Sequence, residues 1–476
     1  MARLFSVLTV LAAQQAPSST PYGDFQKLLA HPDPELRVRA AETARRERDP
    51  RMLQALIPLL GDVHPKVRLR SAQALEDARA GDLARTALRH PSPLVRREAC
   101  DVLGALGEPS LDRLSDPDPR VRAAAAAALA RQKPPPVERL LAAYRKESDW
   151  PLRAAVLEAL RHPDLLDEAS ADRRYPVRLV AAEIRPTPAL LADPDWRVRA
   201  AAIEGALAVR DRALVDPLIG RLAQEKGRLR WDALLALQDL TGKDLGLGAS
   251  AWQAWWDANR ETFPLRPAGK GAIGVEMGGT QASFFKVPIL STRLVFVLDL
   301  SGSMREPSPG GGTKLEAARA GMIETIRTLP SEARFGIVGL GCDEDGGYSR
   351  KAEKTWSGRL RLVPASPPAK ADAERFVRGL EARGWTNLYD GLAYALEDPE
   401  VDTVYLYSDG GASKGTFVAA GEILSQLALA NRFRKIVVHA VEVPGEKNPE
   451  DNRRLLSRIA LSTKGTFKPH ERKEIR

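Results

Sequence analysis

One short pattern recurs eight times in the first half of this 476-residue chain and constrains its fold more than any other feature. A turn that often carries proline is followed by an apolar residue, an arginine and then alanine, as in DPELRVRAA from Asp33 and HPKVRLRSA from His64. The apolar positions recur at an average spacing of about 27 residues, within the range of solenoid repeats. They are residues 38, 67, 95, 121, 152, 177, 198 and 229. A unit this short cannot bury its own apolar face, so the copies must stack.

Each copy has the features of a helical pair. Asp or Ser caps the start of a helix, proline fits its first turn, and the arginine lies one turn in, where it can reach the Asp of a neighbouring copy. The alanines let helices approach closely, and an apolar segment such as residues 53–60 supplies the partner helix. We predict an α-solenoid over residues 24–262. The pattern resembles HEAT-like repeats, specifically the short, arginine-rich bacterial variety, and this resemblance indicates a fold but almost nothing about function.

Composition excludes several classes of protein. The chain is 44% hydrophobic and 28% charged, which is typical of a globular protein, and its net charge is +9. Acidic residues alternate with basic ones and no long basic block occurs, so we expect no nucleic-acid partner. Cys100 and Cys342 lie far apart without metal-site spacing. We therefore expect buried thiols rather than a disulfide scaffold.

The first 16 residues, MARLFSVLTVLAAQQA, have the pattern of a secretory signal peptide. Arg3 gives a short positive region, a mainly apolar run of ten residues follows from Leu4, and small residues end it. No other stretch has the length of apolar sequence that a membrane span requires. We expect an exported protein of the periplasm, cell envelope or medium, without a stable transmembrane anchor.

Two sets of residues in the repeat region could suggest ligands but fit structural roles better. Trp252, Trp255 and Trp256 share one helical face near the end of the array. We interpret this face as a helix that caps the last repeat; the alternative is an exposed platform for a ligand. Four histidines precede proline at matching turns, which would space them along the array, so we interpret them as turn residues. They are His31, His64, His90 and His162.

A glycine-rich linker over residues 263–291 precedes a region of different character. Its glycines do not follow the order of a phosphate-binding loop, so we expect no nucleotide site. Beyond it, apolar strands such as RLVFVLDL at 293–300 alternate with amphipathic helices. This alternation predicts a doubly wound, Rossmann-like α/β domain over residues 292–470, with a parallel sheet covered on both faces. In such sheets ligands bind at the carboxyl ends of the strands.

Two carboxylates and three hydroxyls are predicted to meet at that edge of the sheet. The sequence DLSGS ends the first strand, a threonine precedes a later helix, and an aspartate ends a later strand. All-oxygen ligand sets suit hard divalent cations, so we expect Mg2+, with Mn2+ or Ca2+ as alternatives. The predicted ligands are Asp299, Ser301, Ser303, Thr386 and Asp409.

This pattern resembles the metal-ion-dependent adhesion site of the von Willebrand factor type A family, which reads D-x-S-x-S, then Thr, then Asp. The resemblance covers residues 292–470. It implies that Ser301, Ser303 and Thr386 ligate the cation directly, and that the two aspartates act directly or through water. It also implies an open coordination position for a carboxylate of a partner protein. A cation held partly by neutral hydroxyls keeps positive charge for such a ligand.

Two features near that edge have open interpretations. Asp343, Glu344 and Asp345 form either a solvated acidic turn or a group that tunes the field of the ion or binds a second cation. Trp385, next to Thr386, contacts either a partner or the protein core.

No catalytic constellation is evident in the sequence. A serine triad would use Ser301 or Ser408 with His439, but no G-x-S-x-G turn occurs and His439 lies within an apolar strand. We therefore expect a non-enzymatic binding protein, an adhesion or assembly factor of a bacterial envelope. The main alternative is an intracellular, chaperone-type adaptor that docks onto an ATPase partner. A lyase is a weaker alternative, based on the occurrence of HEAT-like repeats in bilin lyases.

Overall fold

The chain divides into two compact units, Met1–Ala159 and Leu160–Arg476. The predicted signal peptide at residues 1–16, Cys342 and the acidic residues 343–345 lie outside the described part of the chain. Within that part, no helix combines the length and the apolar character that a membrane crossing requires. The computed structural model describes residues 21–269, 271–272, 282–341, 354–356, 360–443 and 450–470.

Helices build the first unit, and most of them begin at proline, whose fixed φ suits the first helical turn. The apolar residues of the repeat pattern, such as Val67, Val95 and Val121, are buried between the helices. Two short 3-10 turns lie between the helices, at Ile57–Gly61 and Leu111–Ser115. The helices are α1 (Pro21–Leu29), α2 (Pro34–Glu47), α3 (Pro50–Ala55), α4 (Pro65–Asp77), α5 (Gly81–Ala87), α6 (Pro93–Leu106), α7 (Pro119–Ala130), α8 (Val137–Lys146) and α9 (Trp150–Leu160).

The predicted arginine bridges join successive copies of the repeat. Arg96 donates through Nε and Nη2 to the two carboxylate oxygens of Asp116, each at 2.8 Å. Its Nη1 donates to the carbonyl of His90 at 3.0 Å. Each such guanidinium ties its own turn to the next turn through charge-assisted hydrogen bonds. The same arrangement recurs at Arg37, Arg122, Arg178 and Arg199.

In the first copy the bridging arginine is Arg37, whereas the repeat pattern assigns Arg39. Arg37 Nε donates to Asp62 at 2.6 Å, while Arg39 is exposed. The sequence LRVR contains two apolar–arginine pairs, and only Arg37 lies four residues after the helix cap Asp33. That distance brings the guanidinium back over the turn that precedes the helix.

The second unit begins with the remaining helices of the array. Trp252 and Trp256 of its last helix are buried, and Trp255 is partly buried. The indole N–H of Trp252 donates to the carbonyl of Gly246 at 2.8 Å, and that of Trp256 donates to Asp216 at 3.2 Å. The tryptophan face therefore packs inward, in accord with a capping helix. These helices are α10 (Pro163–Ser170), α11 (Tyr175–Ile184), α12 (Pro188–Leu191), α13 (Trp196–Val209), α14 (Val215–Gln224), α15 (Arg228–Thr241) and α16 (Ala249–Asn259).

An α/β domain completes the second unit, with strands and helices alternating as predicted. The strands in its described part are β1 (Ser283–Phe284), β2 (Val287–Pro288), β3 (Arg293–Asp299), β4 (Arg334–Leu340), β5 (Lys354–Thr355), β6 (Val363–Pro364), β7 (Thr403–Ser408), β8 (Val437–Glu442) and β9 (Phe467–Lys468). The helices are α17 (Lys314–Thr328), α18 (Pro367–Arg378), α19 (Leu388–Ala395), α20 (Ala420–Asn431) and α21 (Glu450–Ser462).

The main sheet is mostly parallel. Its strand order is β5-β4-β3-β7-β8-β9, and β6 also pairs with β4. The pairs β3–β4, β3–β7, β7–β8 and β8–β9 are parallel, whereas β5 and β6 run antiparallel to β4. Strand β7 is buried along its whole length, as expected for a central strand of a parallel sheet. The carboxyl ends of β3 and β7 therefore lie side by side.

The last residues of the predicted linker belong to the core of the α/β domain. β1 and β2 form an antiparallel hairpin, and Phe284 and Val287 are buried. Phe285 stacks on Tyr407 of β7, with ring centroids 4.1 Å apart and an interplanar angle of 14°. The SFFKVPIL segment at the end of the predicted linker thus supplies large apolar side chains to this core.

The repeats of the second unit contact the amino edge of the main sheet. Arg228 Nη1 donates to the carbonyls of Asp402 and Lys435, at 3.2 and 2.7 Å, just before β7 and β8 begin. Glu183 of α11 forms ion pairs with Arg432 at 2.7 Å and with Lys435 at 2.5 Å. These contacts hold helices of the array at the ends where the strands start, opposite the edge of the predicted ion site.

Candidate metal centre

The two predicted aspartates lie on neighbouring strands at the carboxyl edge of the sheet. Asp299 is the last residue of β3, and Asp409 directly follows Ser408 at the end of β7. Leu298 and Tyr407 are register partners in the parallel β3–β7 pair, which brings the two strand ends together. The structure therefore places both aspartates at the carboxyl edge of the sheet.

Hydrogen bonds connect four of the five predicted ligands. The backbone N–H of Ser301 donates to Asp299 Oδ1 at 2.9 Å. The hydroxyl oxygens of Ser301 and Ser303 are 3.0 Å apart, and Ser303 Oγ donates to Asp409 Oδ2 at 2.9 Å. Both hydroxyls and both carboxylates thus converge on one small region.

Thr386, the fifth predicted ligand, is buried beside this group on the loop before α19. Its N–H donates to Ser413 Oγ at 3.0 Å, and its carbonyl accepts from the N–H groups of Ser413 and Lys414 at 3.0 and 3.2 Å. The N–H of Gly302 donates to the carbonyl of Gly384 at 2.9 Å, which holds the threonine loop against the DLSGS loop. Among the described residues, no hydrogen bond joins the Thr386 hydroxyl to the other four side chains.

The pKa of the Asp299 carboxyl group is strongly shifted by its surroundings. Burial, and after it the negative charge of Asp409, raises its pKa to about 6, although hydrogen bonds from Ser408 and Ser301 act in the opposite direction. In the described part of the chain, neither aspartate forms an ion pair with a lysine, arginine or histidine. Two adjacent, buried carboxylates without a cationic side chain are unfavourable unless a proton or a cation compensates them.

The donor chemistry fits a hard divalent cation. Carboxylate and hydroxyl oxygens are the ligands that Mg2+ and Ca2+ prefer, and the site offers no nitrogen or sulfur ligand among its five residues. The described residues contain no cluster of three or more His, Cys, Asp or Glu side chains arranged to hold a metal. This finding concerns a different class of site, since three of the predicted ligands here are hydroxyls.

Ser408 is a residue of the site that sequence analysis assigned only to a discounted serine triad. Its hydroxyl donates to Asp299 Oδ2 at 2.6 Å and accepts from the N–H of Gly410 at 3.0 Å. These bonds orient Asp299 and link the end of β7 to the following turn. The available signal was its position immediately before Asp409, at the end of a buried strand.

His439 has the core role that its apolar strand predicted. Its ring stacks on Tyr405 with centroids 4.8 Å apart, and its Nδ1 accepts from the N–H of Thr466 at 3.0 Å. Burial lowers its pKa to about 4, so the ring is neutral at pH 7. The Ser408 hydroxyl donates to Asp299, and within the described part of the chain no hydrogen bond joins a serine to His439.

Trp385 lies at the surface beside the buried Thr386, with 48% of its residue area exposed. Of the two interpretations offered by the sequence, this exposure favours an aromatic side chain that a partner can reach. Complete burial in the core would have favoured the other interpretation.

Comparison with known proteins supports the repeat assignment directly. A family model described as HEAT repeats matches residues 81–161 and 110–184. These matches cover part of the first unit and extend into α11 of the second. They support the helical repeat class and carry no statement about activity.

Similarity to curated proteins involves the inter-alpha-trypsin inhibitor heavy chains. The chain is 30% identical over 135 residues to heavy chain H4 of Bos taurus, which is 28% of this chain and 13% of that protein. It is 25% identical over 175 residues to heavy chain H3 of Homo sapiens, which is 34% of this chain and 17% of that protein. The chain therefore spans less than a fifth of the length of these relatives.

Among solved structures, the von Willebrand factor type A protein from Catenulispora acidiphila is similar to this chain at 21% identity. The match covers 39% of this chain and 40% of that one, with a TM-score of 0.31. That score is too low for the likeness to bear on fold or function. The family model supports helical repeats of the HEAT kind, and the heavy-chain matches show similarity over about a third of the chain.

Proposed function

We propose that this protein is a non-enzymatic binding scaffold whose α/β domain binds a divalent cation, Mg2+ in the first instance, and through it an acidic group of a partner protein. The repeat array supplies a second interaction surface. Repeats joined to an α/β domain of this kind support the general class of protein-interaction scaffold. We further propose that a cation is bound, that a partner carboxylate coordinates it, and that the protein is exported to a bacterial envelope.

The observation that carries the proposal is the pair of carboxylates Asp299 and Asp409. Asp299 is completely buried and Asp409 is 9% exposed, yet in the described structure no basic side chain neutralises them. The hydroxyls of Ser301 and Ser303 are hydrogen-bonded to each other, and Ser303 in turn donates to Asp409. A divalent cation among these oxygens would compensate both charges and would keep coordination positions for a further anion.

The first test is calorimetric titration of the purified full chain with Mg2+. We expect one site in the wild type and loss of binding in Asp299→Ala, with the helical circular dichroism of the repeats unchanged. Ser303→Ala is a milder second variant, because it removes one hydroxyl and leaves both carboxylates in place; we expect at least a tenfold weaker affinity. Normal Mg2+ binding by Asp299→Ala would show that the cation site is wrong.

Glu400→Ala is the matched control for these variants. Glu400 is a partly exposed carboxylate just before β7 begins, at the opposite edge of the sheet from Asp409, and it pairs with Arg334. Its removal deletes one negative charge from the same domain without touching the site. We expect its Mg2+ affinity to equal that of the wild type.

The second test concerns the partner. Wild type and Asp299→Ala are used as baits on extract from the source organism, once with Mg2+ and once with EDTA. A protein retained only by the wild type and only with Mg2+ would agree with a carboxylate bound at the cation. Retention that ignores both the metal and Asp299 would place the binding surface on the repeats.

A further inference from the structure

A pocket of about 340 Å3 lies next to the loop that carries the predicted ligands Ser301 and Ser303. Met304, the residue after the predicted ligand Ser303, forms part of its wall, and Thr313 at the start of α17 forms another part. Arg305 and Arg319 both line it. We call this cavity the arginine pocket.

Backbone hydrogen bonds fix the arginine pocket next to the ion site. The N–H of Arg383 donates to the carbonyl of Leu300 at 2.7 Å, and the N–H of Gly302 donates to the carbonyl of Gly384 at 2.9 Å. These bonds hold the DLSGS loop against the loop that carries Thr386. The pocket lies between those two loops and α17, so its wall and the ion site share a continuous stretch of chain.

The charge of the arginine pocket favours an anion. Arg305 Nε donates to the carbonyl of Ala382 at 2.8 Å, and Arg319 Nη2 donates to the carbonyl of Leu380. A guanidinium has five N–H donors, so each arginine uses only part of its capacity in these bonds. Arg319 Nε is buried and has no hydrogen-bond partner in the described part of the structure.

Acidic groups near the two arginines do not cancel their charge. In the described part of the chain, neither Arg305 nor Arg319 forms an ion pair with a carboxylate. Glu381 lines the pocket but its side chain is exposed. Glu316 interacts with Arg319 at longer range and is engaged in the cap of α17, where its carboxylate accepts from the N–H of Thr313 at 2.7 Å. The lining therefore carries two guanidinium groups against one exposed carboxylate.

We infer that the arginine pocket binds a second carboxylate of the same partner, so that the preferred ligand is a protein segment with two acidic side chains close in sequence. One carboxylate would complete the coordination of the cation, and the other would accept hydrogen bonds from Arg305 and Arg319. Arginine suits this role because its planar fork matches a carboxylate. The inference rests on the proposed function, since it needs the first carboxylate at the cation.

The test uses the full chain with saturating Mg2+ and two blocked synthetic peptides of equal length. One peptide contains a single Asp among Gly and Ser residues, and the other contains two Asp, in versions with one, two or three residues between them. Dissociation constants are measured by calorimetry. We expect the best two-Asp peptide to bind about tenfold more tightly than the single-Asp peptide, the usual gain from one charge-assisted contact.

Arg305→Gln is the decisive variant. Glutamine places its side-chain nitrogen at the same number of bonds from the backbone as Arg305 Nε, so it can keep the bond to Ala382 while it removes the charge. We expect it to abolish the advantage of the two-Asp peptide and to leave the affinities for Mg2+ and for the single-Asp peptide unchanged. Arg375→Gln, at an exposed arginine of α18, is the matched control and should retain the full advantage.

Each outcome has a distinct meaning. Equal binding of both peptides by the wild type would overturn the arginine pocket while leaving the cation–carboxylate interaction intact. An advantage that persists in Arg305→Gln, or that Arg375→Gln also loses, would overturn it as well, because the gain would then reflect general charge attraction. Failure of both peptides to bind a chain that binds Mg2+ would overturn this inference together with the proposed carboxylate contact.

Discussion

At the scale of single residues, the ionisation of Asp299 links the site to the stability of the domain. Its carboxyl group ordinarily titrates at 3.8, and burial beside Asp409 raises its pKa to about 6. Between these two pH values the folded protein holds more protons than the unfolded chain. The free energy of unfolding therefore falls as the pH rises through this window, so the ionised carboxylate destabilises the metal-free folded protein at pH 7.

We predict that Asp299→Asn stabilises the metal-free protein near neutral pH. Asparagine keeps the shape and can still accept from the N–H of Ser301, but it removes the buried charge. We expect a gain of up to about 3 kcal/mol at pH 7.5 and almost none at pH 4. Thermal unfolding in EDTA at both pH values measures this difference. A gain of equal size at pH 4 and pH 7.5 would contradict the assignment to Asp299.

Added Mg2+ should reverse the order of the two proteins. A ligand that binds only the folded state stabilises it in proportion to its affinity, so Mg2+ should raise the melting temperature of the wild type. Asp299→Asn should not respond. Glu400→Ala serves again as the control that must respond like the wild type. A shift of equal size in Asp299→Asn would mean that Mg2+ binds elsewhere.

The positions of the site residues could be predicted from the sequence, but the hydrogen bonds between them could not. The D-x-S-x-S spacing and the order of strands were enough to place Asp299 and Asp409 at one edge. The bond from Ser408 to Asp299 was not predictable, because it depends on the register between β3 and β7. The arginine pocket could not be predicted from the sequence either, because Arg305 and Arg319 lie on separate elements and belong to no motif.

At the scale of the repeat element, the arginine bridge is the contact most open to test. Arg199 Nη1 donates to the carbonyl of Asp193 at 2.7 Å, and its Nε and Nη2 donate to Glu225 at 2.5 and 3.3 Å. We predict that Arg199→Ala destabilises the protein by about 2–4 kcal/mol, because it leaves partly buried acceptors without their donor. Chemical denaturation followed by circular dichroism measures the loss.

Arg39→Ala is the matched control for the bridge. Arg39 belongs to the same sequence pattern but is exposed, so we expect a change of less than about 0.5 kcal/mol. Neither variant should alter Mg2+ affinity. Equal effects of Arg199→Ala and Arg39→Ala would show that the bridges do not hold the repeats together.

The repeat period was readable from the sequence, but the register within the first copy was not. Pattern matching alone cannot choose between Arg37 and Arg39, because both follow an apolar residue. In the structure Arg37 forms the bridge, because it lies four residues after the helix cap Asp33 and its side chain therefore reaches back over the preceding turn. The hairpin at 283–288 could not be predicted, because strands of two residues give no periodic pattern in the sequence.

At the scale of the whole second unit, single acidic residues on helices of the array meet basic residues of the α/β domain. Glu183 pairs with Arg432 and Lys435, and Glu204 pairs with Lys435 at 2.9 Å and with Lys464 at 3.3 Å. The attraction of Lys435 and Lys464 outweighs burial and lowers the pKa of Glu204. These pairs join segments that no sequence pattern relates.

We predict that the double variant Glu183→Gln/Glu204→Gln uncouples the two parts of this unit. It leaves Arg432 and Lys435 partly buried without their acidic partners, at a cost of about 2–4 kcal/mol. Differential scanning calorimetry should show the α/β domain and the adjoining repeats melting together in the wild type and separately in the variant. Glu138→Gln, at an exposed residue of α8, is the control for a loss of acidic charge in the array. A single unchanged transition in the double variant would contradict the coupling.

The contact of Arg228 with the starts of β7 and β8 has a mechanical consequence. A partner bound at the cation would pull on the far ends of β3 and β7, while the array holds the sheet where β7 and β8 begin. Tension between these points would act parallel to the strands. It would load many interstrand hydrogen bonds in shear at the same time, rather than break them one after another. The chain would then transmit a pulling load through the buried sheet, with its attachment points at opposite ends of the same strands.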